Sequence, residues 1–334
     1  MLTQSSNNKS HHRIARLQHG GIMTNYQCNA ACRHCLYACS PKRSGGYIRQ
    51  EMAEEICAML REGGCRSVHI GGGEPFLDID GLIMLLKTAR QAGITVEYVE
   101  TNAFWAEDES RVVKYLHALA EAGADTLCIS LDPFHAEYVA PALPVKLAEI
   151  CRREGFGCFL WKENYRTLLS KLQAPHKAQT RADMERQLSP DYILETASNY
   201  GLSMGGRAIT IEAEYGMPRS IADVTAQKRP CRNLLAAGHF HVDLYGRYIP
   251  PGCTGIAIPL DEAVRGVPVG KYPAFDALVT GGVDALLHLA EGLGFGPGET
   301  CTSACALCFH IRHWLSGNGD FPELDAEHYD AALK

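Results

Sequence analysis

The sequence predicts an α/β protein built on a parallel sheet, and three observations carry that expectation. Short runs rich in Val, Ile, Thr and aromatic residues alternate with longer stretches whose apolar residues fall three and four apart. The longer stretches end in glycine, as helices do. Strands separated by helices of this length pair in parallel through crossover connections, so the alternation reads as βαβ units.

The elements follow in order. GGIMTNY, RSVHIGG, GITVEYVETN, DTLCISLD and GFGCFLW read as buried strands, and ITIEAE (209–214) as a sixth. EMAEEICAMLREGG, DGLIMLLKTARQAG and ESRVVKYLHALAEAG read as the helices between them. Residues 162–200 are more polar and carry the charged run QTRADMERQ, which suggests helices and a mobile loop over the sheet. HFHVDLYGRYIPPGC (239–253) reads as a β-hairpin turning at Gly246, followed by Pro- and Gly-rich irregular chain and then CTSACALCFHIRHWL. The 334 residues suggest about two domains. We divide the chain into a polar N-terminal extension (1–19), a first domain (20–224), a smaller second domain (225–320) and a C-terminal tail (321–334).

Composition narrows the function classes. The formal net charge is −6 and the isoelectric point is near 6.2. The one basic run, KRSGGYIR, is too short for a nucleic-acid surface. There is no apolar core of a signal peptide and no run of about 18 apolar residues, so a cytoplasmic chain without a membrane partner is expected. In such a compartment 14 cysteines point to metal or cluster ligation rather than disulfides. Cys57, Cys65, Cys128, Cys151 and Cys158 fall in apolar contexts and read as small core hydrophobes.

Cys28, Cys32 and Cys35 are spaced C-x3-C-x2-C in CNAACRHC, just after the first strand. Three thiolates on a four-iron cube leave one iron able to take an outside ligand. Zinc with His34 or Cys39 as fourth ligand, or a four-thiolate electron carrier, are the competing readings. GGGEP (Gly71, Gly72, Gly73, Glu74, Pro75) follows the second strand, where consecutive glycines let backbone groups approach a ligand. Spacing and motif together resemble the radical S-adenosylmethionine (SAM) superfamily, over roughly residues 20–310.

That resemblance implies a partial (β/α)6 barrel with ligands at the C-terminal ends of its strands. It implies a 4Fe-4S cluster on Cys28, Cys32 and Cys35 whose open iron chelates SAM, with Gly71, Gly72, Gly73 and Glu74 at the methionine amine and His34 beside the adenine. It further suggests Thr101, Asn102, Ser130 and Asp132 at strand ends as contacts to the SAM carboxylate or ribose; helix caps and Asx turns are the alternative there. Arg207, in SMGGRA, is a further SAM contact or else a surface arginine. Cys231 and Cys253 bracket the hairpin, and Cys305 and Cys308 form a C-x-x-C. These four resemble the auxiliary 4Fe-4S site of a twitch or SPASM domain, a small hairpin/α unit, with Cys301 a spare or alternative ligand and structural zinc the competing reading.

The implied activity is reductive cleavage of SAM to a 5′-deoxyadenosyl radical that abstracts hydrogen from a substrate. The substrate expected is a peptide or protein side chain, in an oxidative or crosslinking modification. The alternatives are dehydrogenation of a small molecule, or a non-enzymatic two-cluster electron-transfer or metal-binding protein. A flavodoxin- or ferredoxin-type donor would supply the electron. No catalytic acid or base can be named from the sequence.

Overall fold

The strand His19–Met23 (β1) is the pivot of an eight-stranded sheet. The structure, a computed structural model, describes residues 11–43, 46–203 and 205–334. Outside these lie the first ten residues of the expected N-terminal extension, Ser44 and Gly45 of the basic run, and Met204 of SMGGRA. To one side of β1 run Ser67–Gly71 (β2), Thr95–Thr101 (β3), Thr126–Ser130 (β4) and Gly157–Trp161 (β5), each parallel to its neighbour. To the other side lie Phe240–Val242 (β6), parallel to β1, then Arg247–Ile249 (β7) and Ile258–Pro259 (β8), both antiparallel.

Six parallel strands are therefore present, as a partial barrel requires, but the sixth is β6 and not ITIEAE. That segment is part of the helix Ala208–Tyr215. Its alternation mimics a strand, yet Thr210 returns its hydroxyl to the Arg207 carbonyl at 2.8 Å, a helical back-bond. The expected hairpin does form and turns at Gly246, whose φ of +74° suits glycine. It does not stand apart from the barrel, because its first strand is β6 and Gly21 of β1 pairs in register with His241 there.

The outer sheet face is apolar. Val68, Ile70, Val99, Leu127 and Ile129 are fully buried in one cluster with Ile56, Leu60, Leu85, Leu86, Leu116 and Leu119. The last six lie on the helices Gln50–Glu62, Ile79–Gln91 and Glu109–Ala122, at the helical spacing seen in the sequence.

The second core gathers the C-terminal residues. The stretch expected to be irregular holds a 19-residue helix, Pro273–Glu291, with proline in its first turn. Gly281 and Gly282 disguise it, and Gly282 interrupts it at φ +71°. Residues 321–334 carry the helix Ala326–Leu333, whose Tyr329 and Ala332 are completely buried, so this segment packs rather than trails. The charged run 179–187 is also ordered: Thr180 and Asp183 form a capping box on the helix Arg181–Gln187.

Candidate functional site

β1 delivers the chain to a loop at the C-terminal end of the sheet, and this loop carries Cys28, Cys32 and Cys35. Cys28 and Cys32 are only 8% and 6% exposed. Backbone N–H groups of Ala30 and Cys39 point at the sulfurs of Cys28 and Cys35, at 3.4 and 3.3 Å. Burial raises the pKa of both the Cys28 and Cys32 thiols. Cys39 is buried beside Cys35.

Arg207 holds this loop together. It is 8% exposed, and its guanidinium donates to the carbonyls of Cys32 at 2.7 Å and Cys39 at 2.8 Å. Its backbone N–H donates to the Cys35 carbonyl at 2.9 Å. It is therefore neither a surface arginine nor turned toward a ligand; its donors fix the backbone that presents the cysteines.

GGGEP leaves β2 beside the cysteine loop. Gly73 donates to the Asn25 carbonyl at 2.9 Å, and Glu74 donates to that of Gln27 at 3.1 Å. A Cβ on Gly73 would lie 1.9 Å from the Gln27 carbonyl oxygen, so the close approach is to the protein's own backbone. A valine at this position would break the loop contact before it could exclude a ligand. The Glu74 carboxylate, 1% exposed, accepts from Phe76 N, Thr101 Oγ1 and Asn102 N, at 3.2, 2.9 and 2.8 Å. Burial raises its pKa to about 7, against the pull of those three donors.

The strand ends divide between bracing and lining. Thr101 spends its hydroxyl on Glu74 and accepts from Ala103 N and Trp105 Nε1, both at 3.0 Å. Asn102 makes an Asx turn to Phe104 N, and its amide donates to Asn29 Oδ1 at 2.8 Å, with Cys28 Sγ at 3.7 Å. Asp132 is fully buried, caps the turn Pro133–Ala136 and meets His135 Nδ1 at 2.6 Å. It follows the capping pattern and faces no cavity. Ser130 does line the cavity, as do Gly72, Gly73, Glu74, Thr101 and Asn102.

His34 lies in an aromatic nest: its ring centroid is 4.9 Å from Phe134, 4.5 Å from Tyr200 and 5.0 Å from His135. His135 is a site residue that sequence reasoning missed. Burial opposes its charge, but Asp132 and Cys32 hold its pKa well above the ordinary range. The legible signal was DPFH, a histidine three residues after a capping aspartate.

The cysteine loop closes one end of a cavity of about 350 Å³ that continues into the barrel lumen. Tyr98 and Glu100 on β3, Cys128 on β4, Trp161 on β5 and the pair His239 and His241 at β6 line it. None of these was expected at the site, and Cys128 is a lining residue rather than core filler. Phe159 and Trp161 on β5 are 40% and 42% exposed, so the lumen is open along this edge.

The C-terminal cysteines form a separate group. Cys231 precedes a short turn, Cys253 follows the hairpin, and Cys305 and Cys308 stand one turn apart on the helix Ala304–Asn318. Burial pushes the Cys308 thiol up to about 12; Arg312 opposes the shift, while Cys253, Cys231 and Cys305 add to it. These four thiols are thus electrostatic neighbours. Cys301 faces Arg219 and Glu212 instead. Arg312 is 2% exposed and donates to the Thr254 carbonyl and the Tyr329 hydroxyl, at 2.8 and 3.0 Å. Its Nε has no partner, and none of the groups it touches is a carboxylate.

Comparison with known proteins places this geometry. Residues 22–160 match the family described as the Radical SAM superfamily. A stretch of 127 residues is 25% identical to the Bacillus subtilis (strain 168) protein named "Putative peptide biosynthesis protein YydG", covering 38% of this chain and 40% of that one. Another of 128 residues is 30% identical to the "Probable GTP 3',8-cyclase" of Archaeoglobus fulgidus, covering 36% and 39%. The chain thus spans about two fifths of the length of these relatives. Among solved structures, Streptococcus suis SuiB bound to S-adenosylmethionine is 17% identical with a TM-score of 0.43, covering 81% of this chain and 68% of that one. The three-cysteine loop that follows β1 and the GGGEP turn that follows β2 both lie inside the span at residues 22–160 that is similar to the Radical SAM superfamily.

Proposed function

We propose that the protein holds a 4Fe-4S cluster on Cys28, Cys32 and Cys35, cleaves SAM reductively, and abstracts hydrogen from a peptide or protein side chain. The observation that carries this reading is the cysteine loop itself, set at the mouth of a cavity that runs into the lumen. The residues fit the cluster. Two buried thiols with raised pKa values become thiolates only beside a positive partner, and backbone donors already aim at two of the three sulfurs. When bound, the cluster supplies one electron to the SAM sulfonium, which releases methionine and a 5′-deoxyadenosyl radical.

The chain's own residues do the rest. Arg207 and Asn102 hold the loop that presents Cys28, Cys32 and Cys35 at the cavity, where these residues would hold the cluster. Glu74 ties the GGGEP turn to the end of β3, leaving its backbone along the cavity wall. His34 and Tyr200 offer rings on which an adenine can stack. The open edge at Phe159 and Trp161 would admit a segment of chain, and a relative whose printed name is a peptide biosynthesis protein supports that substrate class. A flavodoxin- or ferredoxin-type protein would supply the electron.

A second, auxiliary 4Fe-4S cluster on Cys231, Cys253, Cys305 and Cys308 belongs to the same reading, in a twitch- or SPASM-type unit. Arg312 favours it. A buried guanidinium without a carboxylate is costly unless another negative charge stands beside it, and four thiolates around iron carry one. The spacing disfavours zinc: a tetrahedron with Zn–S near 2.3 Å draws its sulfurs within about 4 Å of one another. Among the described residues no three cysteine sulfurs lie within 4.8 Å.

The test is iron content and 5′-deoxyadenosine release by reduced, anaerobically reconstituted protein given SAM. Wild type should hold about eight irons per chain, and the Cys305→Ala/Cys308→Ala variant about four, with 5′-deoxyadenosine still formed. Unchanged iron in that variant, or zinc in the wild-type site, would refute the auxiliary cluster. Absence of 5′-deoxyadenosine from both would refute the SAM reading.

A further inference from the structure

We propose that His69, His239 and His241 form a binding site for one divalent transition-metal ion in the barrel lumen, beneath the cysteine loop and separate from both cysteine groups. His69 comes from β2 and His241 from β6, the two strands flanking β1, and both pair in register with Gly21. One ligand nitrogen from each of the three rings lies within 4.8 Å of the other two. The Nε2 atoms of His69 and His241 are 3.0 Å apart. The ring centroids are separated by 5.0 Å for His69 and His239, 4.9 Å for His69 and His241, and 5.2 Å for His239 and His241.

Two imidazole nitrogens at this distance make either an N–H···N hydrogen bond or two edges of one coordination sphere. The hydrogen-bonded pair gives no role to the third ring. It also leaves His69, 1% exposed, with an Nδ1 that has no partner.

The sequence makes room for this convergence. A Cβ on Gly21 would lie 2.4 Å from both His241 Cδ2 and His69 Nε2, so any side chain there would part the two rings. Glycine in a strand interior is otherwise unfavourable, and it marks a place where other groups approach closely. A carboxylate oxygen of Glu100 lies 3.8 Å from His69 Nε2, next to the set of three nitrogens. Such a set suits zinc or ferrous iron, and its remaining positions would face the cavity, where a substrate carboxylate or amide carbonyl can bind.

The experiment uses the cluster-loaded full chain and zinc as the probe. Protein is incubated with one equivalent of Zn2+, freed of loose metal by gel filtration, and measured for zinc content and by zinc K-edge absorption. The expected result is one zinc per chain with nitrogen and oxygen scatterers at about 2.0–2.1 Å. His69→Gln/His241→Gln should lose the zinc and keep its iron. His239→Gln, at the exposed member of the three, should weaken binding by about tenfold or more. No retained zinc, sulfur scatterers at about 2.3 Å, or full zinc in either variant would overturn the proposal. SAM cleavage is not part of this readout, so its failure and that of the radical SAM reading are distinguishable.

Discussion

Replacing Cys28, Cys32 and Cys35 together with alanine is expected to remove about four irons per chain and all formation of 5′-deoxyadenosine. The three sulfurs lie on one loop that closes the cavity, and no other cysteines of the described chain line it except Cys39 and Cys128. Cys128 sits on β4, down the lumen. Cys39 is the informative control, because it is buried against Cys35 and is the cysteine of this loop that could supply a fourth thiolate. Cys39→Ala should keep both the iron and the cleavage. If it loses the N-terminal cluster outright, the loop carries four thiolates and the electron-carrier reading replaces the enzymatic one.

Arg207→Met should be the most damaging single change outside the cysteines. The guanidinium makes two charge-assisted hydrogen bonds to buried carbonyls of the cysteine loop, at Cys32 and Cys39. Each such bond contributes about 1.5–3 kcal/mol, and its loss strands a buried acceptor, so a cost of about 3 kcal/mol or more is expected. The midpoint of urea unfolding should fall accordingly, and iron held by the N-terminal loop should fall with it while the C-terminal site keeps its iron. Arg207→Lys, which can reach one carbonyl but not both, should recover part of the loss. Wild-type stability in Arg207→Met, with SAM binding alone reduced, would instead return Arg207 to the ligand-contact role read from the sequence.

The first five strands and the three helices between them were legible because each buries one regular face. Ile56 and Leu60, or Leu82, Leu85 and Leu86, repeat at helical spacing, and the strands carry β-branched runs bounded by glycine. ITIEAE failed on the same logic: six residues are too few to separate a period of two from a helical turn, and only the bond from Thr210 to Arg207 decides. Pro273–Glu291 was hidden by two internal glycines, although the proline at its start was a correct signal. That β6 would join β1 could not be read locally, because the pairing spans more than two hundred residues.

The site was legible in its cysteines and less so in its walls. Short spacings such as C-x3-C-x2-C report a compact loop directly, whereas Thr101, Asp132 and Arg207 have side chains that serve caps, braces and ligands equally well. The structure turns all three toward the protein. The lumen had a signal that went unread: His69 and Gly71, Tyr98 and Glu100, Cys128 and Ser130, and His239 and His241 are each two residues apart. Polar residues at that period on otherwise buried strands mark an inner face that is not core.

The central claim is that the N-terminal cluster has one iron open to SAM. Electron paramagnetic resonance of the reduced Cys305→Ala/Cys308→Ala variant, which isolates that cluster, tests it directly. Adding SAM should change the signal, and SAM labelled with nitrogen-15 in its amine should show hyperfine coupling to the cluster. A signal unmoved by SAM, with no coupling to the label, would mean that the iron is closed and that the three-cysteine loop serves some other chemistry.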